Sequence, residues 1–144
     1  MTHEKGEKFS AKHASDAQAD PAVKDMLEKK TRNGEVACAI AFQIAEELKV
    51  PPADIGKTMD LMELRLIKCQ LGLFGYGADK KKVTSKLPEN RRMEEAIQSA
   101  LVDTKLACRD AWDIARRFKV SKMAVSAACE ALEIKIKPCQ LGAF

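Results

Sequence analysis

Shifted by seventy positions, the chain aligns with itself without a gap, residues 21–74 lying over 91–144. Between 37–74 and 107–144, thirteen of 38 positions are identical, among them Cys38, Ala41, Ile44, Ala45, Lys49, Val50, Cys69, Gln70, Leu71, Gly72 and Phe74. Unrelated segments of that length would share about two or three, so the chain contains one unit twice. The 144 residues therefore divide into a polar tail (1–20), a first repeat (21–74), a linker (75–90) and a second repeat (91–144). The tail is too poor in apolar residues to build a core and is expected to be flexible, with both histidines, His3 and His13, in it.

Each repeat reads as three helices and a strand. Asp20 and Pro21 are the cap and first residue of a helix reaching about Thr31, which Asn33-Gly34 ends. Pro88-Glu89-Asn90 opens its counterpart, from Arg91 to about Val102. From Glu35 to Leu48 the apolar positions Val36, Ala37, Ile40, Ala41, Ile44, Ala45 and Leu48 recur at helical spacing, predicting a second helix. Leu106, Ala107, Ala111, Ile114, Ala115 and Phe118 repeat the pattern. A tight turn at Lys49 or Lys119 leads to a third helix, Ala53 to about Met62 or Met123 to about Leu132. With only seven aromatic residues, the core has to rest on Ala, Leu, Ile, Val and Met, which suits a mainly α fold.

Beyond the third helix the pattern alternates, in Leu64-Arg65-Leu66 and Ile134-Lys135-Ile136-Lys137, as in a half-exposed strand. A lone strand leaves its hydrogen-bonding edges open. Antiparallel pairing of 63–69 with 133–139 about a pseudo-twofold axis would close them. The sequences CQLGLF and CQLGAF that follow are expected to turn at Gly72 and Gly142 and fold back as hooks that close each unit.

No apolar run approaches the roughly 18 residues of a membrane span, and the first twenty residues lack a signal-peptide core, so a cytoplasmic protein without a membrane partner is expected. Cys38, Cys69, Cys108 and Cys139 occupy matched positions. They could surround a metal, but they lack ligand spacing and read as buried thiols, with no metal and no cofactor expected. No phosphate-cradling loop or nucleophile–base pair is present, the Gly-rich GLFGYG of 72–77 reads as a turn, and catalysis is not expected.

The segments Ile44-Ala45, Leu48, Val50, Ile55 and Ile114-Ala115, Phe118, Val120, Val125 resemble the helix-turn-helix family of DNA-binding folds, over about twenty residues per copy. Where that family commonly has glycine in the turn, this chain has Lys49 and Lys119. The second copy resembles the repressor version, and the whole chain resembles small bacterial proteins. The resemblance implies tandem helix-turn-helix-like units and a role in regulating transcription. In the second copy the recognition helix would present Ser121, Lys122, Met123, Ser126 and Ala127 to DNA. Arg116, Arg117, Lys119, Lys135 and Lys137 would hold the phosphates. The first copy has Glu46-Glu47 where the second has Arg116-Arg117, and carboxylates facing phosphate cost about 1 kcal/mol per close pair in water. The first repeat is thus expected to dimerise or contact protein instead. The alternative is a non-catalytic interaction or scaffolding module.

Overall fold

A computed structural model describes His13 and residues 18–76, 81–88 and 90–143. The described residues divide into two compact units: those as far as Cys69 together with Leu141, Gly142 and Ala143, and the segment Gln70–Gln140.

The first unit opens with α1 (Pro21–Lys30). The carboxylate of Asp20 accepts hydrogen bonds from the Ala22 and Val23 amides at 2.9 and 3.4 Å. Pro21 lacks an amide proton at a position where none would be bonded, so it starts the helix without loss. Strand β1 (Glu35–Ala37) runs directly into α2 (Cys38–Leu48), and Lys49 turns the chain with φ 55° and ψ 44°. Helix α3 (Pro52–Leu61) and strand β2 (Arg65–Ile67) complete the copy. The second unit repeats this order as α4 (Arg91–Ala100), β3 (Lys105–Leu106), α5 (Cys108–Phe118), α6 (Lys122–Ala131) and β4 (Lys135–Ile136). Every helix begins and ends seventy residues after its counterpart, and Lys119 takes the same left-handed conformation as Lys49 (φ 54°). The protein is mainly helical with short strands, and the duplication extends to the backbone.

Two expectations are corrected. Residues 35–37 are strand, not the start of the second helix. The strands also pair inside each unit and in parallel: Glu35, Val36 and Ala37 with Arg65, Leu66 and Ile67, and Lys105 and Leu106 with Lys135 and Ile136. The antiparallel pairing of 63–69 with 133–139 about a pseudo-twofold does not occur. Each late strand finds a partner just ahead of α2 or α5, and the helix pair between supplies the long crossover that a parallel ladder requires. Beneath the strands lie the cores. Val36, Ile44, Ile55 and Leu27 are at most 1% exposed in the first unit, as are Leu106, Ile114, Val125 and Ile97 in the second. Fully burying each such side chain contributes about 1.5–3 kcal/mol.

The hooks also differ from expectation, since each belongs with the other copy's helices. Leu71, fully buried, and Phe74 lie in the second unit, where the Gly72 carbonyl accepts from the Lys82 and Val83 amides at 2.8 and 3.1 Å. Leu141, 3% exposed, lies in the first, its backbone against Gly56 of α3. Nor is the tail wholly outside the fold: His13 Nε2 lies 2.8 Å from Asp60 Oδ2. The rest of 1–17 lies outside the described residues.

A Cβ on Gly56 would lie 1.7 Å from the Leu141 carbonyl oxygen. Replacing a mid-helix glycine by alanine ordinarily stabilises by about 1 kcal/mol. Here Gly56→Ala should instead destabilise by about 3 kcal/mol, because the hook backbone has to move. Urea unfolding decides the sign, and a gain in stability would mean that Leu141 does not pack on α3. In the second unit Thr104 holds φ 66° where the first has Gly34 at φ 73°. A β-branched residue is strained there, so Thr104→Gly should raise stability by about 0.5–1 kcal/mol, read as a higher thermal midpoint.

Candidate functional site

The surface that sets the copies apart runs along α5 and the turn after it. Arg116 and Arg117 lie in the last turn of α5, where basic side chains face the negative end of the helix dipole. Both are exposed, as is Lys119 in the turn. Arg116 is ion-paired with Asp113 one helical turn back, and the Arg117 guanidinium stands 5.7 Å from the centre of the Phe118 ring. On the strand side, Lys135 and Lys137 are exposed, the first in β4 and the second just beyond it.

The expected recognition helix is arranged otherwise. No residue of α6 is exposed; each is buried or half-buried. The linker lies along it: the Lys86 amide donates to the Ala127 carbonyl at 3.1 Å, and Lys81 pairs with Glu130. Ser121 caps the helix, its Oγ accepting from the Ala124 amide at 3.0 Å. Lys122 donates to Gln70 Oε1 at 3.0 Å and sits 4.0 Å above the Trp112 ring. Met123 lies under the hook, its sulfur 3.3 Å from where a Cβ on Gly72 would be. Ser126 is fully buried, with no hydrogen-bond partner for its Oγ among the described residues. Ser126 therefore cannot contact DNA, and Met123 has the hook against it. The repeat held a signal for this: Ser126 matches Gly56, and two small residues at one helical register mark a close approach.

Around Trp112 the structure joins the expected Arg116 and Lys122 to residues that sequence reasoning missed. A groove of about 720 Å³ is lined by Arg109, Asp110, Trp112, Asp113, Arg116, Lys122 and Gln140. A second, of about 630 Å³, lies between α4 and α5 and includes Arg92, Arg117 and Phe118. Position by position, the first unit has Ala39 for Arg109, Glu46 for Arg116, Glu47 for Arg117 and Pro52 for Lys122. The segment Gln70–Gln140 carries fourteen basic and nine acidic side chains, whereas the rest of the chain carries eleven and twelve. The first is at +5 and the second at −1.

Of the matched cysteines, Cys38 and Cys69 are buried in the first unit and Cys108 in the second, with Cys139 half-buried. Among the described residues no group of three or more His, Cys, Asp or Glu is placed to hold a metal. No helix among them is long and apolar enough to cross a membrane. Comparison with protein-family models, curated proteins and solved structures finds no match to this chain.

Cys129 has no cysteine counterpart in the first copy, and burial, helped by the neighbouring Glu130 carboxylate, pushes its thiol up from 9.0 to about 11. A thiol whose folded pKa exceeds its unfolded one stabilises the fold below the unfolded value and loses that contribution as pH rises from about 9 through 11. The loss amounts to roughly 3 kcal/mol. Subtracting the unfolding free energies of Cys129→Ala from those of the parent protein across that interval should reveal the slope. A flat difference would place the thiol in a more hydrated site.

Proposed function

We propose that the second unit binds nucleic acid by its phosphate backbone, through the exposed cations of α5 and the following turn. The observation that carries this reading is the replacement of Glu46-Glu47 by Arg116-Arg117 at matched positions of two repeats with the same element order. The fold forms in the first unit with carboxylates there, so the arginines are not a requirement of folding. Arg116 is 81% exposed at its side chain, and Arg117 and Lys119 stand exposed beside it. Arg109 on α5, with Lys135 and Lys137 on the strand side, adds to the same sign of potential. Phosphate contacts of this kind supply affinity and orientation without reading sequence. Since α6 presents no exposed residue, the reading is of general nucleic-acid binding and includes no operator recognition by that helix.

A second reading, an interaction or scaffolding module without catalysis, is favoured by the same covered helix. A fold that packs a hook and a linker over its third helix already uses that surface for protein segments. Dimerisation through the first repeat belongs to this reading.

Salt and charge separate the two. Anisotropy of a labelled duplex of mixed sequence should show binding at low salt that weakens steeply as salt rises. Reversing two charges, Arg116→Glu with Arg117→Glu, should weaken binding at least tenfold, because two attractive contacts become repulsive. Reversing Lys29 and Lys30, which line a groove of the first unit with Arg32, should change affinity little. No binding at low salt would leave the interaction module as the better account.

A further inference from the structure

The Trp112 groove adds something that phosphate binding alone does not require. Its cations, Arg109, Arg116 and Lys122, line it together with the chain's single tryptophan, and the matched positions of the first unit hold Ala39, Glu46, Pro52 and Phe42. An aromatic residue at this register is therefore part of the fold, while the charged groups beside it, three cations and two carboxylates, are particular to the second unit, which has Asp110 and Asp113 where the first has Ile40 and Gln43. Asp113 and Asp110 accompany Arg116 and Arg109, and with Gln140 they offer acceptors and an amide among the positive charges. A duplex hides the faces of its bases and is read by an element that enters a groove, whereas the linker lies along α6 through Lys81 and Lys86. A single strand offers each base as a flat ring beside its phosphate, and aromatic rings among cations hold such strands.

We propose that this groove takes single-stranded nucleic acid, with one base on the Trp112 indole and its phosphates on Arg109, Arg116 and Lys122. This narrows the nucleic-acid reading above and rests on it. Binding exchanges the contact of Lys122 Nζ with the indole, at 4.0 Å, for a base on the ring and an ion pair with phosphate. The exchange is favourable because base stacking outweighs a partly exposed cation–π contact. The carboxylates accept from N–H groups of the bases, N3–H in thymine, and keep the groove from binding every polyanion equally.

The test uses the full chain and two probes, labelled oligothymidylate and labelled mixed-sequence duplex, followed by anisotropy and by indole emission. Because Trp112 is the chain's one tryptophan, emission reports this groove alone. The single strand should bind about tenfold more tightly than the duplex and quench the emission. Trp112→Phe should weaken the single strand by about fivefold or more and leave duplex binding as it was. Phe42 at the matching position indicates that the ring is accommodated, and a thermal melt of the variant checks that it folds. Duplex binding as tight as single-strand binding, with emission unmoved, would overturn this inference and leave the phosphate-binding reading standing. Absence of binding to either probe would reject both. Loss of duplex binding in Trp112→Phe would also overturn it, since the ring would then act through the fold and not through a base.

Discussion

The parallel pairing of two very short strands determines how each copy is arranged. A ladder of two or three residues has few hydrogen bonds, each contributing about 1 kcal/mol net, so its contribution to stability is modest. Its larger effect is geometric. The early strand leads directly into the second helix and the late strand follows the third, so pairing them closes the helix pair into a loop. Val36 and Leu66, or Leu106 and Ile136, then turn inward from paired positions to cap the core. The left-handed lysine between the helices turns the chain within that loop. An isolated bridge between Arg32 and Glu35, repeated at Val102 and Lys105, continues the pairing on the outer side of the early strand.

Both third helices have a small residue where a hook is expected, yet they handle it differently. Gly56 has no side chain, and the Leu141 backbone occupies the space a Cβ would need. At the same register Ser126 keeps its Oγ buried without a hydrogen-bond partner among the described residues, a cost of about 1–3 kcal/mol on ordinary scales. Thr58 and Ala128 show the same divergence two residues on, the threonine hydroxyl donating to the Asp54 carbonyl at 2.9 Å. The duplicated architecture thus tolerates different local solutions provided the helix register is kept.

Much of the fold is legible in the sequence because capping and periodicity are local. Asp20 and Asn90 announce their helices and do cap them. Ala41, Ile44 and Ala45 are buried as their spacing predicts. The early strand is not legible, because buried Val36 falls on the face that the helical pattern marks and Ala37 offers no capping side chain to signal a break. Nor could sequence say which unit each hook closes, since both hooks carry the same motif. The candidate site divides similarly. Arg116, Arg117 and Lys119 are exposed, as comparison of the repeats suggests, whereas the burial of Ser126 depends on a distant segment covering α6. Arg109 is legible by the same comparison, but it and Trp112 lie outside the helix-turn-helix pattern.

Two copies of one fold in one chain act as controls for each other. A property common to both, such as the half-buried aromatic at Phe42 and Trp112, is explained by packing alone. A property of only one copy needs another cause. Surface charge changes stability little, which leaves it free to vary between copies. Random variation, however, would scatter the changes over the surface. Here Ala39, Glu46, Glu47 and Pro52 correspond to four cations, and three of those, Arg109, Arg116 and Lys122, line one groove. Asp113 and Asp110 accompany Arg116 and Arg109 there, so the groove keeps one positive charge in excess, which an anionic partner would offset.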